Sequence, residues 1–265
     1  MPSSYDGTTA IKTVCVSSTH PPQGNITLLS ASGDLEAVLN AEEITGFRTA
    51  LVSMLLPSAR HAAGLQVRKA VVFGTGKQAE WALRLLLEIF PGVGVTVVGR
   101  GTAREVQEKL PGGLSFEGFG RTDGDEEVLR VRVEAADAVF CCTPAEAPLF
   151  PMHWITGAGK TVYVSLIGSY KPHMVEVEPA LLKVEGVTVV VDSVDACLAE
   201  AGELIQGGLG REDVIELGSV LEKGEAVTGL CVFKCVGMGV MDLVAGRGTM
   251  RIAEERGLGV KVEGF

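Results

Sequence analysis

The sequence predicts an α/β fold built on a doubly wound parallel sheet. Its central part contains short apolar runs that do not alternate polar with apolar side chains, which is typical of parallel strands buried on both faces. Helical stretches separate these runs, as a doubly wound sheet requires. The runs are residues 70–73, 95–98, 138–142, 161–165 and 187–191.

The first sixty or so residues have a different pattern. Residues 11–16 predict a strand, and two further runs on either side of Ser32-Gly33-Asp34 predict a hairpin, because glycine tolerates the positive φ of tight turns. A helix is expected from Glu42 onwards, and Pro57 should interrupt it because proline lacks the amide hydrogen that helices need.

The C-terminal end predicts a strand at 232–234, a helix over 236–256 and a last strand at 260–262 that should pair with the N-terminal sheet. Both chain ends, 1–63 and 225–265, are therefore expected to form one smaller α+β domain. The α/β unit, residues 64–224, would be inserted between them.

Composition argues against several functions. The net charge of −10, from 23 basic and 33 acidic residues, disfavours nucleic acid or an anionic membrane as main partner. The six cysteines show no CxxC pair and no metal-ligand spacing with the four histidines, so we expect no metal site and reduced thiols in the cytoplasm. The start, Met1 to Gly7, is polar and predicts no secretory signal.

A glycine-rich loop follows the first run of the α/β unit. It has the form G-x-G-x-x-A, in which the first glycine makes a tight turn, the second lets the backbone approach a pyrophosphate, and the small last residue lets helix and strand pack closely. The helix that opens there offers free N–H groups to phosphates. A glycine-rich turn of some other α/β fold is the alternative. The predicted dinucleotide-binding residues are Gly74, Thr75, Gly76, Lys77, Gln78 and Ala79.

The end of the next strand bears on the choice of cofactor. NAD sites usually place Asp or Glu there, to bind the ribose 2′-hydroxyl. Here residues 100–104 contain no carboxylate, and Arg100, Thr102 and Arg104 stand in that region. A guanidinium matches a 2′-phosphate in shape and charge, so NADP(H) is favoured over NAD(H). A solvated strand-end arginine is the alternative.

Five motifs in order resemble the ornithine cyclodeaminase/mu-crystallin family, from Lys12 to the C-terminus. They are E-I-T-G-F-R-T-A at 43–50, F-G-T-G-K-Q-A at 73–79, I-G-S-Y-K-P at 167–172 with Glu176, V-D-S at 191–193 with E-A-G-E at 200–203, and F-K-C-V-G at 233–237.

The resemblance implies a homodimer whose subunits join a small α+β dimerisation domain to an NAD(P)-binding Rossmann domain, with the active site in a cleft between them. It implies a small amino or imino acid substrate and hydride exchange between nicotinamide and the α-carbon of that substrate.

The resemblance also implies roles for individual residues. Arg48 would bind the substrate carboxylate, and Lys12 would contact substrate as a carboxylate partner or proton donor. Without the resemblance, Arg48 would be interpreted as an arginine on the surface of a helix, and Lys12 as a charged residue on an edge strand. The resemblance places further residues near the ligand or the nicotinamide: Glu200, Cys142, Thr143, Leu166, Lys234 and Cys235. Asp192 belongs to the V-D-S motif, but it could equally be the N-cap of a helix.

The sequence departs from the family pattern at several points. Ser169 stands where cyclodeaminases carry an aspartate acid/base, and serine is a poor general base at neutral pH. Cys235 replaces a usual serine. The family usually has a further segment before the Lys12 strand, with another carboxylate-binding arginine, so a shortened member or a misassigned start is expected.

These observations lead to an NADP(H)-dependent imine reductase or amino acid dehydrogenase as the expected function. A redox-neutral cyclodeaminase that uses tightly held NAD is the first alternative, and Ser169 argues against it. A catalytically silent cofactor- or ligand-binding homologue is the second.

Overall fold

A computed structural model describes residues 2–15, 17, 19, 23–99, 117–120, 126–157, 160–224 and 227–262. Its elements in chain order are β1 (Pro2–Tyr5), β2 (Thr8–Cys15), β3 (Gln23–Leu29), β4 (Leu35–Asn40), α1 (Ala41–Ala62), β5 (Lys69–Phe73), α2 (Lys77–Ile89), β6 (Gly94–Gly99), β7 (Glu117–Gly120), α3 (Glu126–Glu134), β8 (Ala138–Cys141), β9 (Val162–Leu166), β10 (Thr188–Val191), α4 (Val194–Glu200), α5 (Gly202–Gly207), β11 (Ile215–Glu216), α6 (Leu217–Lys223), β12 (Leu230–Lys234) and α7 (Gly239–Glu255). No helix in this part of the chain is both long and apolar enough to cross a membrane.

The chain divides into two compact units, here called the small unit (Met1–Thr49 with Gly237–Phe265) and the large unit (Ala50–Val236). The boundaries differ from those expected at 63/64 and 224/225. At the second boundary the reason is β12, which hydrogen-bonds to β9 and β10 and so belongs to the large unit.

The small unit consists of an antiparallel sheet in the order β1-β2-β3-β4, on one face of which α7 packs. Its core side chains come from both the sheet and the helix: Ala10 of β2, Ile26 and Leu28 of β3, and Leu243 of α7 are fully buried. The hairpin expected around Ser32-Gly33-Asp34 is confirmed as β3–β4.

Two features of the small unit differ from the sequence prediction. Strand β1 was missed, although Asp6-Gly7 is a strong hairpin signal: both residues have positive φ (50° and 70°) and connect β1 to β2 in a two-residue turn. The last predicted strand, 260–262, is wrong. Gly257 and Gly259 adopt positive φ after α7, and the chain then continues without strand structure, with Val260 92% exposed.

The large unit is built on an eight-stranded parallel sheet in the order β11-β10-β12-β9-β8-β5-β6-β7. The five apolar runs of the sequence form β5, β6, β8, β9 and β10, and their side chains are almost entirely buried, so the predicted doubly wound sheet is confirmed. Strand β12 adds a sixth interior strand between β9 and β10.

Helix α1 continues past Pro57 to Ala62, against the prediction that Pro57 would end it. Proline cannot donate to the carbonyl four residues earlier, which is that of Ser53. The hydroxyl of Tyr163 donates to this carbonyl at 2.7 Å instead. The buried hydroxyl thus supplies the hydrogen bond that Pro57 removes.

Candidate functional site

The glycine-rich loop lies at the carboxyl end of β5 and opens α2. Gly74 has φ +123°, and a Cβ there would stand 3.0 Å from the carbonyl oxygen of Cys142, so the turn admits only glycine without strain. Gly76 is exposed, with no heavy atom within 4 Å of the place its Cβ would occupy. This open space faces the N-terminus of a 13-residue helix, whose first amides have no partner within the helix.

The residues of this loop fit a dinucleotide pyrophosphate. Ala79 is fully buried against the sheet, as a close helix–strand contact requires. Lys77 and Gln78 are half-buried, and the Lys77 ammonium lies 3.3 Å from Glu80. A Cβ on Gly99, at the end of β6, would meet the Thr75 side chain at 2.6 Å. The loop therefore offers backbone amides and open space to a phosphate, with the ends of β5 and β6 in close contact beside it.

Three residues predicted to choose between NAD and NADP, Arg100, Thr102 and Arg104, lie outside the described residues. The three residues predicted on the nicotinamide side follow the neighbouring strands. Cys142 and Thr143 come directly after β8 and are half-buried, whereas Leu166 ends β9 and is fully buried.

Ser169 is fully buried, and its hydroxyl donates to the carboxylate of Glu203 at 2.5 Å. The Lys234 ammonium contacts both the hydroxyl and the carbonyl oxygen of Ser169 and lies 3.4 Å from the second carboxylate oxygen of Glu203. Glu200, by contrast, is exposed at the end of α4. The structure therefore brings Glu203 to Ser169, and Glu200 does not take part in this cluster.

Glu176 lies beside this cluster and is also fully buried. Its carboxylate accepts backbone N–H groups from Thr143 at 2.9 Å, from Gly168 at 2.8 Å and from Ser169 at 3.3 Å. Burial raises the pKa of Glu176 to about 7, while Lys234 and the backbone donors act in the opposite direction. Its own amide donates to Glu203 at 2.7 Å.

Cys235 turns away from solvent. Its thiol donates to Asp192 Oδ2 at 3.1 Å, and the thiol of Cys197 donates to Oδ1 of the same carboxylate at 3.1 Å. Asp192 does not cap α4, because Ser193 is the N-cap and accepts from the amide of Ala196. Asp192 instead connects Cys235, the residue after β12, to Cys197 of α4 through these two thiol hydrogen bonds.

In the small unit, Lys12 and Arg48 share one carboxylate. The ammonium of Lys12 lies 2.9 Å from Asp242 Oδ2, and Arg48 Nε lies 3.1 Å from Asp242 Oδ1. All three side chains are at least nine-tenths buried. Burial, and then the charge of Arg48, lower the pKa of Lys12, against the opposing effect of Asp242.

Gly237 fixes the place of the Arg48 guanidinium. It has φ +94°, and a Cβ there would stand 2.9 Å from Nη1 and 3.0 Å from Nη2 of Arg48. Arg48 Nη1 also contacts the sulfur of Met241 at 3.4 Å. We call Lys12, Arg48 and Asp242, two cations on one carboxylate that are all buried, the cationic cluster.

Sequence reasoning missed Glu203 and Asp242. Glu203 belongs to the E-A-G-E motif, in which only Glu200 had been given a role near the ligand. Asp242 follows the F-K-C-V-G motif, but it lies 230 residues from Lys12, so no local pattern connects them. Among the described residues, no cluster of His, Cys, Asp and Glu could hold a metal ion.

The parallel sheet, the glycine turn that opens α2 and the separate antiparallel sheet define a Rossmann-type α/β protein with an additional α+β unit. The chain belongs to the ornithine cyclodeaminase/mu-crystallin family, whose sequence model matches residues 1–255.

Named relatives agree with this assignment. A Δ1-pyrroline-2-carboxylate reductase of Bacillus thuringiensis is 29% identical over 246 residues, which cover 88% of this chain and 71% of the relative. The ketimine reductase mu-crystallin of Rattus norvegicus is 29% identical over 231 residues, covering 85% and 68%. The solved Δ1-pyrroline-2-carboxylate reductase of Thermococcus litoralis, in complex with NADH and L-proline, superposes with a TM-score of 0.78 at 21% identity, covering 96% of this chain and 80% of that one.

Proposed function

We propose that this protein is an NAD(P)H-dependent oxidoreductase that acts on the α-carbon of a small amino or imino acid, as an imine reductase or, in reverse, an amino acid dehydrogenase. Membership of the family and the reductases among its relatives support this reaction class. The glycine loop of the large unit supports the cofactor class, because it is open and lined by helix N-terminal amides.

The observation that carries the proposal is the cationic cluster. Lys12 and Arg48 are both buried and lie side by side on one carboxylate, in a chain of net charge −10. Two cations held this close together in a poorly solvated setting create a local positive potential, which favours an anionic ligand. The α-carboxylate of an amino or imino acid provides one negative charge and a planar shape that a guanidinium can bind through two hydrogen bonds.

Each residue then has a part in the reaction. Arg48 binds the substrate carboxylate, and Asp242 and Gly237 hold its guanidinium in place. Lys12, whose pKa is lowered by burial, donates the proton that the nitrogen gains as the imine is reduced. The bound nicotinamide supplies the hydride.

We infer a preference for NADP(H) from the end of β6. Residues 100–104 contain no carboxylate, and two arginines stand at positions 100 and 104, where a 2′-phosphate would be bound. The test is the ratio of kcat/KM for NADPH to that for NADH, which we expect to exceed about 10 and to fall on Arg100→Asp.

Ornithine cyclisation is disfavoured by the surroundings of Ser169. Its hydroxyl is buried and engaged by Glu203 and Lys234, so it offers no acid/base group to a substrate amine. Imine reduction does not need one at this position.

We also propose that two copies associate through the small unit, in the cytoplasm. The face of its sheet opposite α7 presents two exposed apolar side chains, Ile11 and Val38, on either side of the half-buried Thr27 of the middle strand. All six cysteines are free thiols, which agrees with a reducing compartment. Light scattering after size exclusion should give a dimer for the wild type and a monomer for Val38→Lys.

The decisive experiment is oxidation of NADPH and NADH in the presence of cyclic and acyclic α-imino acids, followed at 340 nm. We expect turnover with at least one of them, and a rise in KM of about 100-fold or more for Arg48→Ala, since a charge-assisted carboxylate contact contributes about 3 kcal/mol. Arg247→Ala is the matched control, because Arg247 also pairs with a carboxylate in the small unit but is half-exposed. No turnover despite cofactor binding refutes the proposal.

A further inference from the structure

Two loops follow adjacent parallel strands in the large unit, at the end of the sheet where such folds bind their ligands. The first begins with Cys142 and Thr143 after β8, and the second contains Gly168 and Ser169 after β9. Neither loop has regular secondary structure, so their relative position depends on contacts other than the sheet ladder.

One carboxylate connects these loops. Oε1 of Glu176 accepts the amide of Thr143, and Oε2 accepts the amides of Gly168 and Ser169. Both oxygens act as acceptors, which is the arrangement that an ionised carboxylate supports. The contact is close: a Cβ on Gly168 would overlap the Thr143 carbonyl oxygen at 1.9 Å and Glu176 Oε1 at 2.5 Å.

A buried ion pair stands behind this connection. Glu203 accepts the amide of Glu176 at 2.7 Å and the hydroxyl of Ser169 at 2.5 Å, and Lys234 at the end of β12 pairs with Glu203. All of these side chains are fully buried. A network so desolvated is rigid when all its members are satisfied, and it is costly when one is removed.

We propose that Glu176 is a positioning residue, which holds the loops after β8 and β9 at a fixed separation so that they form the wall against which the nicotinamide ring is seated. This inference rests on the proposed function. Glu176 is fully buried, and both of its carboxylate oxygens are taken up by backbone amides. It acts through the backbone of Thr143 and Ser169, and it matters because hydride transfer is sensitive to small displacements of the reacting atoms.

The variant Glu176→Gln tests the proposal. It preserves shape but places an amide N–H₂ against backbone donors, so at least one donor loses its acceptor. We expect kcat to fall about 10- to 100-fold, since an unsatisfied buried group costs about 1–3 kcal/mol. The Kd for NADPH, measured by its fluorescence, should change less than about threefold because the pyrophosphate loop is untouched.

Glu178→Gln is the matched control. Glu178 stands two residues away and also accepts a backbone amide, that of Met152 at 2.8 Å, but it does not connect the two loops. We expect its kcat and its cofactor Kd to remain within about twofold of wild type. Equal losses of kcat in both variants overturn the proposal, as does an unchanged kcat in Glu176→Gln.

Hydrogen exchange gives a readout that does not depend on turnover. The amides of Thr143, Gly168 and Ser169 should exchange faster in Glu176→Gln than in wild type, and bound NADPH should slow them in wild type only. If wild type reduces no imino acid, the proposed function fails, and this exchange pattern alone decides whether Glu176 positions the loops. Equal protection in both proteins overturns the positioning role.

Wild-type protein provides a second test if the variant does not fold. Burial raises the pKa of Glu176 to about 7, and the ionisable groups facing it are Lys234, Glu203, Cys141 and Cys142. Lowering the pH from 8 to 6 should therefore protonate Glu176 and reduce the protection of the loop amides, corrected for intrinsic exchange, relative to the Met152 amide. Unchanged relative protection refutes the proposal.

Discussion

Replacing Asp242 by asparagine isolates the electrostatics of the cationic cluster. Asp242 is fully buried and lies within 3.1 Å of both Lys12 and Arg48. The substitution preserves size and one acceptor oxygen, so it removes charge without opening a cavity. Lys12 and Arg48 then lose the carboxylate that both of them contact.

The expected loss of unfolding free energy is about 3–5 kcal/mol at pH 7, the cost of removing one partner from a buried ion pair. Lys12 can avoid that state by losing its proton, which costs about 4–5 kcal/mol for a side chain whose ordinary pKa is about 10.4. Because the pKa of Lys12 is already lowered in the wild type, we expect a loss of unfolding free energy towards the lower end of the range of about 3–5 kcal/mol.

The pH dependence follows from linkage. A lysine whose pKa is lower in the folded than in the unfolded protein binds fewer protons when folded, so stability rises with pH between the two values. Asp242→Asn lowers the folded pKa of Lys12 further, and its deficit relative to wild type should therefore shrink as the pH rises from 7 to about 9.5.

Urea unfolding followed by circular dichroism measures both quantities. Glu36→Gln is the control: Glu36 and Arg247 approach to 2.7 Å in the same unit but are about 30% exposed, so we expect a loss of at most about 1 kcal/mol. The reasoning is refuted if the two variants lose the same free energy, or if the deficit of Asp242→Asn does not depend on pH.

Three further predictions follow from the same geometry. Lys12→Met leaves Asp242 paired with Arg48, so it should cost less than about 2 kcal/mol in urea unfolding while lowering kcat at least about tenfold. A stability loss equal to that of Asp242→Asn contradicts this expectation. Gly237→Ala should displace Arg48, because the added Cβ would stand 2.9 Å from the guanidinium. We expect the KM for the imino acid to rise about tenfold while the Kd of the cofactor stays unchanged, and an unchanged KM contradicts the role of Gly237. Tyr163→Phe should lose about 1–3 kcal/mol because the Ser53 carbonyl is left without its donor, and a thermal melt identical to wild type rules this out.

Local sequence patterns were sufficient for most of the large unit. The strands β5, β6, β8, β9 and β10 are apolar on both faces, and this burial produces the uninterrupted runs that predict them. The position of β12 was not predictable in this way. The apolar run that forms β12 resembles the other apolar runs of the chain, and only its pairing with β9 and β10 places it inside the sheet.

The helix through Pro57 shows why local rules fail at particular residues. Proline removes one hydrogen bond, and the sequence predicts a helix end there. The hydroxyl of Tyr163, 110 positions after Ser53 in the chain, donates to the Ser53 carbonyl and lets the helix continue.

The sequence by itself determined the α/β class, the glycine loop that opens α2 and, through its five motifs, the family, because each depends on residues near one another in the chain. Lys12 and Arg48 were identified as candidates by resemblance. Tertiary structure alone decided their partner, Asp242, and showed that Glu203, not Glu200, reaches Ser169. Burial and ion pairing arise from segments brought together by folding, so the charge balance of a site has no local signature in the sequence.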